Sequence, residues 1–183
     1  VDVADAQALS EAEIKLRREA FRSLTYLQAH MPGYEHARIS VTYPQFGVRL
    51  GRRIIGAYCL TDADIRQGRQ FADTIARLGL YFPDWGPTYQ IKGLRWDIPY
   101  RCLIPAAVEG LIVVGRCISC DYVAGNTLRL IVPCLATGQG GGAAAGLAAV
   151  NDVAPRALDV VTLQEALRAQ DVKRIDSSQA HGV

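Results

Sequence analysis

The spacing of hydrophobic and polar positions changes along the chain and predicts a mixture of helices and strands. Residues 10–29 form an apolar stripe at helical spacing, and Ser10 with Glu13 has the pattern of a capping box. Residues 39–46 and 48–58 have strand character, although Pro44 restricts the first of them to an edge or an end. Thr61 is predicted to N-cap a helix that continues as far as Leu78.

The second half of the chain gives clearer boundaries. Residues 80–97 are aromatic and contain two prolines and two glycines, which predicts a loop or a short hairpin, and residues 98–104 predict a short strand. The clearest strand is 111–114, a purely aliphatic run between Gly110 and Gly115. Residues 127–150 predict a buried helix that bends at Pro133, Thr162 is expected to cap a last helix, and residues 176–183 resemble a frayed tail.

The glycine-rich stretch 138–146 contains G-x-G-x-x-A patterns but is not predicted to bind phosphate. A dinucleotide fingerprint needs a strand directly before its glycines, and the preceding residues LIVPCLAT include a proline. We expect instead a helix that approaches another backbone closely through one face of small residues. That face is predicted to comprise Gly138, Gly142, Ala145, Gly146 and Ala149.

Composition narrows the class of protein. The chain has 183 residues, enough for one ordinary domain with a core, and half of them are hydrophobic. The 20 basic and 18 acidic side chains give a net charge of +2, which does not indicate nucleic acid or an anionic membrane as a partner. The first residues are acidic and polar rather than a secretory signal, so a cytoplasmic location with reduced thiols is the expectation.

Cys117 and Cys120 form a C-x-x-C pair, which leaves several interpretations open. Such a pair is compatible with a redox dithiol or with half of a metal site, but also with two ordinary buried thiols. No second pair is visible for a metal. The other cysteines and the histidines stand alone in the sequence: Cys59, Cys102, Cys134, His30, His36 and His181.

The stretch LIVVGRCISCDYVAGNTLRL, residues 111–130, predicts a corner where a strand ends and a helix begins. The free N–H groups at a helix N-terminus suit an electron-rich acceptor or an anion, although Asn126 or Thr127 could equally form a plain helix cap. Arg129 is expected in the first turn of that helix, where the helix dipole disfavours a cation. We therefore expect Arg129 to serve an anion or a carboxylate.

Four ordered motifs resemble the C-terminal half of a family of FAD-dependent oxidoreductases. In chain order they read RLGRRIIGAYCLTDADI, WDIPYRCLIP, GLIVVGRCIS and NTLRLIVPCLATGQGGGAAAGLA. The resemblance extends from about residue 10 to residue 170. Where the family often has a Thr-His-Glu-type sequence after Ile-Ser, this chain has Cys120, Asp121 and Tyr122.

The resemblance implies roles for matching residues. Residues expected beside the ribityl chain or the flavin ring are Gly115, Arg116, Cys117, Ile118 and Ser119. Residues expected to present a helix N-terminus to the pyrimidine carbonyl are Gly125, Asn126, Thr127 and Leu128. The candidate catalytic, substrate-orienting groups are Arg53, Tyr122 and Arg129, with Arg101 as a further candidate. No metal is implied.

The fold that the resemblance implies is α/β, the C-terminal part of a two-domain, Rossmann-like FAD-binding flavoprotein fold without its N-terminal G-x-G-x-x-G half. Residues 1–100 are expected to form a substrate-side α+β region and residues 101–175 the C-terminal part of the FAD-binding domain. FAD is the expected cofactor, a small molecule the substrate, and a complementary chain or segment the partner that supplies the other half. A non-catalytic subunit that retains the fold and a dithiol protein using Cys117 and Cys120 are the alternatives.

Overall fold

A computed structural model describes residues 2–45, 47–81 and 93–172. The chain divides into two compact units, Val1–Gly51 and Arg52–Val183, which are described separately. Most of the predicted loop or hairpin at 80–97 and the whole of the predicted tail at 176–183 lie outside the described residues. The boundary predicted near residue 100 separates a substrate-side region from the FAD-binding part. The division at residue 51 does not test it, so it stays a prediction.

The first unit contains one long helix, α1, Ala6–His30. The predicted start at Ser10 is wrong, because the carboxylate of Asp5 accepts hydrogen bonds from the amides of Gln7 and Ala8 and caps the helix four residues earlier. Ser10 lies inside the helix, where its hydroxyl donates to the Ala6 carbonyl at 2.8 Å. None of the residues of α1 is buried.

Residues 37–45 return beside α1 without forming the predicted strand. The side chains of α1 take backbone carbonyls that a sheet partner would otherwise use: Gln28 Nε2 donates to Ala37 O at 2.9 Å and Arg17 donates to Tyr43 O at 3.0 Å. Pro44 has no N–H to add to a ladder. The last residue of that predicted strand, at position 46, lies outside the described part of the chain.

The second unit mixes helices with one small sheet. Its helices are α2 Asp62–Arg66, α3 Tyr122–Leu128, α4 Ile131–Val150 and α5 Val160–Ala169. Its strands are β1 Thr74–Leu78 and β2 Trp96–Pro99, and three 3-10 turns occupy Tyr100–Cys102, Gly115–Cys117 and Pro155–Ala157. Its core is built around fully buried side chains of Leu60, Ile65, Trp96, Ile98, Leu103, Ile118, Leu163 and Leu167.

The helix predicted from Thr61 to Leu78 ends after one turn and a half. Its start is confirmed: the Thr61 hydroxyl accepts from the Asp64 amide, and the Asp64 carboxylate accepts from the Thr61 amide at 2.9 Å. Gly68 then adopts a φ of +63°, and a Cβ there would lie 2.8 Å from Arg95 O. Residues 74–78 leave the helical path and form β1, antiparallel to β2 with Leu78 opposite Trp96.

The strand predicted at 48–58 is wrong for a different reason. Residues 54–60 bend at positions 57 and 58 and change hydrogen-bond partners every few residues, so no ladder forms. The amides of Ile54 and Leu60 donate to the 117 and 119 carbonyls at 2.9 and 3.2 Å, whereas the Ala57 amide donates to Ile104 O at 2.8 Å. Only isolated bridges result, from Gly56 to Pro105 and from Leu60 to Cys120. The predicted strand at 98–104 likewise ends at Pro99 and turns into the 3-10 segment that follows it.

Residues 111–114, the strand predicted most firmly, have no strand partner among the described residues. The Val113 amide donates to Leu103 O at 2.9 Å, and this is the one backbone hydrogen bond that the run forms with the described residues. The side chains of Leu111 and Val114 are 44% and 41% exposed. An aliphatic run becomes a strand only when a neighbouring strand accepts and donates along its length.

The long helix predicted from 127 to 150 is two helices, α3 and α4, that meet at 89°. The break falls at Arg129 and Leu130 rather than at Pro133, which is the third residue of α4 and is tolerated there because that N–H has no helical acceptor. No single described helix is long and apolar enough to cross a membrane; α3 and α4 pass that test of length and composition only as a bent pair. The last helix, α5, begins at Val160 because Asp159, not Thr162, is its cap.

The buried face of α4 is not the predicted one. The buried small and polar residues are Thr137, Gly140, Gly141, Ala144 and Ala148. A Cβ on Gly140 would lie 2.8 Å from Ile75 Cδ1, and one on Gly141 would meet Val114 Cγ1, so these glycines allow the close approach to β1 and to the 111–114 run. The predicted residues, Gly138, Gly142, Ala145, Gly146 and Ala149, lie on the exposed side.

Candidate functional site

The turn that follows residues 111–114 is fixed to α4 by one hydrogen bond. The Gly115 amide donates to Thr137 Oγ1 at 3.0 Å, and the same hydroxyl donates back to Pro133 O at 3.0 Å. Gly115 has a φ of +71°, and nothing lies within 4 Å of the position that a Cβ would occupy. The backbone at Gly115 is therefore held in place on one side and open to close approach on the other.

The five residues predicted to lie along a cofactor differ in accessibility. Arg116 and Cys117 are exposed and Gly115 is partly so, whereas Ile118 and Ser119 are buried. Ser119 packs so tightly that a Cβ on Gly56 would lie 2.6 Å from its own Cβ. The part of this loop that is open to a ligand is therefore Gly115–Cys117, and the buried pair anchors it in the core.

The helix N-terminus predicted at Gly125–Leu128 lies elsewhere. Residues 125–128 form the second half of α3, which begins at Tyr122 because the Asp121 carboxylate accepts from the Ala124 amide at 2.7 Å. Gly125, Thr127 and Leu128 are buried and Asn126 is partly buried in that helix. A direct contact between these four residues and a cofactor stays a prediction, but they do not offer free helical N–H groups.

The exposed helix N-terminus at this corner belongs to α4. Its N-cap, Leu130, has no side-chain oxygen to cap the helix, and no acceptor in the described part of the chain reaches the amides of Ile131 and Val132. The side chains of Ile131 and Val132 are 77% and 54% exposed, so the first turn is open. This terminus carries the partial positive charge and the free donors that the sequence placed a few residues earlier.

Arg129 lies at the break between the two helices, as the C-cap of α3. Its backbone amide donates to Gly125 O at 3.0 Å. Its guanidinium forms no hydrogen bond or ion pair within the described ranges. The Nε atom is shielded from solvent and lacks an acceptor. An unsatisfied, shielded donor of this kind is rare in folded proteins and makes Arg129 a candidate to meet an acceptor from outside the described residues.

The other candidate catalytic residues have different surroundings. Arg53 Nε donates to Cys120 O at 3.1 Å, which supports the end of the loop. Arg101 forms a two-point ion pair with Asp73, at 2.8 and 3.2 Å, and lies over the Tyr58 ring. Tyr122 is the first residue of α3 and is 62% exposed. Of these groups, only Tyr122 has its side chain open and without a described hydrogen bond.

Asp121 lies where the family often has a Thr-His-Glu-type sequence. Its carboxylate caps helices, a role that was not predicted from the sequence. One carboxylate oxygen caps α3 at Ala124, and the other accepts from the Asp62 amide at 2.7 Å, at the start of α2. A single carboxylate thus serves two helix N-termini. Both acceptors are occupied in the fold, so Asp121 is poorly suited to move a proton.

The cysteines do not form a metal site in the described part of the chain, where no group of three or more potential ligands is found. All five thiols are free. Cys117 is exposed, whereas Cys120 is buried, and burial raises the pKa of Cys120 to about 12. Burial also raises the pKa of Cys102. A thiol held protonated at neutral pH is a poor nucleophile, which weighs against Cys120 as half of a redox dithiol.

Comparison with known families decides the class of this protein. A family model described as FAD dependent oxidoreductase matches residues 1–167. The chain belongs to this family. No curated protein and no solved structure matches the chain.

FAD is the cofactor that family membership implies, and the residues at this corner fit the flavin end of it. The open side of Gly115 gives room for a flat group against backbone, and the start of α4 offers two free amides. These two features lie within residues 115–132, on two segments that the Gly115–Thr137 hydrogen bond holds together.

Proposed function

We propose that this chain contributes the isoalloxazine-facing half of a flavin site in an oxidoreductase that transfers a hydride from a small molecule to FAD. The observation that carries this proposal is the corner formed by Gly115 and the start of α4, joined through Thr137 at 3.0 Å. Family membership supplies the cofactor, and the corner supplies an open backbone and free donors at the place where the sequence motifs predict the ring.

When bound, FAD supplies the hydride acceptor, and the chain's own residues bind and orient it. In the proposed site the Gly115 backbone and the amides of Ile131 and Val132 would hold the flavin, the amides at its pyrimidine edge. Free N–H groups at a helix start stabilise the negative charge that develops there on reduction. Arg53 positions the loop through its hydrogen bond to Cys120 O.

We also propose that a complementary chain or segment supplies the ADP-binding half of the site, in the Rossmann-like arrangement that the resemblance implies. Two surfaces support this. The run 111–114 offers exposed aliphatic side chains and unused backbone groups, and the outer face of α4 carries no charged side chain along its 20 residues. Unpaired extended backbone and an uncharged helix face of this size favour association.

The test is the visible spectrum of the protein purified from its own source, together with the chains that co-purify. We expect a yellow complex whose flavin is released as FAD on denaturation. A variant with Leu at Gly142, on the exposed face of α4, should lose the partner and the flavin together. Wild-type protein that stays colourless with its co-purifying chains and added FAD would refute the proposed function.

A further inference from the structure

Arg129 differs from the arginines of the second unit that form ion pairs. Five of these reach a carboxylate of this chain, with nitrogen–oxygen distances from 2.6 to 2.8 Å: Arg66, Arg69, Arg77, Arg101 and Arg156. Arg129 reaches none within the described residues, although its Nε is shielded from solvent. The described residues therefore provide a counter-charge for these five guanidinium groups and not for that of Arg129.

The sequence on both sides of Arg129 is also free of acidic residues. From Tyr122 to Asn151 the sequence contains no Asp or Glu. Asp121, the nearest acidic residue before Arg129, has both carboxylate oxygens occupied by the amides of Ala124 and Asp62, each at 2.7 Å. Arg129 is partly buried with a shielded Nε, and it lies in a stretch of 30 residues without an acidic side chain, so a bound anion would supply both the missing acceptor and a counter-charge.

We infer that Arg129 binds the carboxylate of an anionic substrate, an inference that rests on the proposed function. A guanidinium matches a carboxylate with two parallel hydrogen bonds, whereas a neutral substrate would leave the charge unpaired. Oxidised flavin is neutral at its pyrimidine edge, so it does not provide a permanent counter-charge for Arg129 before the reaction. A substrate carboxylate does, and it would be held beside the start of α4, two residues further along the chain.

The experiment uses the flavin-containing complex, as wild type and as Arg129→Lys, Arg129→Gln and Arg18→Gln. Arg18 is an exposed residue of α1 and is not one of the residues of the proposed site, so its variant is the control for the loss of one positive charge. The probes are acetate, malonate, succinate and benzoate, each compared with its neutral amide. Binding is followed by perturbation of the flavin spectrum and, independently of the flavin, by thermal stabilisation.

We expect at least one carboxylate to bind wild type and its amide not to bind. Arg129→Gln should weaken that carboxylate at least tenfold, Arg129→Lys should weaken it less, and Arg18→Gln should leave it unchanged. Without ligand, Arg129→Gln should keep the wild-type melting temperature, because no described residue bonds to the guanidinium that is removed. A strongly lowered melting temperature would show a structural role and overturn the inference.

Other outcomes also decide the question. The inference is wrong if no carboxylate binds wild type, or if Arg129→Gln binds it as tightly. It is also wrong if the variant keeps carboxylate affinity but loses FAD or shifts the flavin potential, since Arg129 would then serve the cofactor. A colourless wild-type complex is the separate result that sinks the proposed function itself.

Discussion

Gly115 and Thr137 are joined by a 3.0 Å hydrogen bond between a backbone amide and a buried side-chain hydroxyl, and this bond links the two segments of the candidate site. Thr137 is 1% exposed, so the Gly115 amide would have little access to water if the hydroxyl were removed. Thr137 is the one threonine of α4, and its role is to hold the Gly115 amide in place.

Thr137→Val removes the hydroxyl that accepts from the Gly115 amide but keeps nearly the same side-chain shape. It therefore tests the hydrogen bond separately from packing. We expect a loss of about 1–3 kcal/mol in the free energy of unfolding, as the Gly115 amide loses its acceptor. FAD affinity should fall as well, since the loop is no longer fixed to α4. Urea denaturation and FAD titration measure the two effects, and Thr137→Ser should restore most of both. Wild-type FAD affinity in the valine variant would show that the link does not position the site.

Gly115→Ala tests whether a ligand approaches this backbone. Gly110 provides a matched control, because its φ is +70° against +71° at Gly115 and both have open space at the Cβ position. The cost of a left-handed alanine, roughly 1 kcal/mol, should therefore be similar in the two variants. We expect only Gly115→Ala to weaken FAD binding, by roughly tenfold or about 1.4 kcal/mol. Equal FAD affinity in the two variants would remove Gly115 from the site.

Adjacent glycines on α4 should respond in opposite directions to the same substitution. A Cβ on Gly141 meets Val114 and lies 3.3 Å from Ile112 Cγ2, whereas a Cβ on Gly142 meets nothing within 4 Å. Gly141→Ala should destabilise the fold by roughly 1–3 kcal/mol through overpacking. Gly142→Ala should stabilise it by up to about 1 kcal/mol, because alanine favours a helix over glycine. Urea midpoints measured on the chain alone compare the two, and the same sign for both would contradict the assigned buried face.

The Asp97 carboxylate should be the most costly single charge to remove. It is fully buried and accepts from Arg77 Nε at 2.7 Å, from Arg77 Nη2 at 3.1 Å and from the Phe71 amide at 3.1 Å. Asp97→Asn should cost about 3–5 kcal/mol, because it leaves a largely buried guanidinium without its counter-charge. Glu109→Gln breaks the more exposed pair with Arg156 and should cost at most about 1 kcal/mol. Thermal unfolding of both variants tests the ranking.

Local signals explain which elements the sequence could predict. The sequence could predict Thr61 as the cap of α2 because a cap and the amide that it accepts from lie within one turn of each other, and the structure adds that Asp64 completes a capping box. The start of α1 was missed because Ser10 and Glu13 repeat a capping pattern inside the helix, while Asp5 supplies the actual cap. A cap formed by neighbouring residues can be recognised in the sequence. When two such caps lie close together, as at Asp5 and Ser10, the sequence does not show which one starts the helix.

Longer-range features explain the errors at the site. The run 111–114 has the composition of a buried strand, but a strand also needs a partner, which no periodicity within the run can supply. The uncharged sequence of α4 has no polar face to indicate which side is buried, so the packed face was assigned to the wrong glycines. The helix start was placed by Asn126 and Thr127, whereas Asp121 starts α3 earlier and the chain turns by 89° at Arg129.

Thiol chemistry gives a prediction with a definite pH dependence. Burial raises the pKa of Cys120 to about 12 from a usual value near 9, so the folded state holds this proton more tightly than the unfolded state does. The contribution of this thiol to the free energy of unfolding is therefore fully present below about pH 9. It falls as the pH rises toward 12, by up to about 1.4 kcal/mol per pH unit. Cys120→Ala should make the decline measured by urea denaturation less steep.

The same burial sets which thiols react in the native protein. At pH 8 a maleimide should label the exposed Cys59 and Cys117, while Cys102 and Cys120 should react only after unfolding. Mass spectrometry of peptides from native and denatured samples distinguishes the four sites. Rapid native labelling of Cys120, or a Cys117–Cys120 disulfide formed under mild oxidation, would restore the dithiol hypothesis. If Cys117 reacts and Cys120 does not, the C-x-x-C pair consists of one surface thiol and one buried core side chain and is not a redox dithiol.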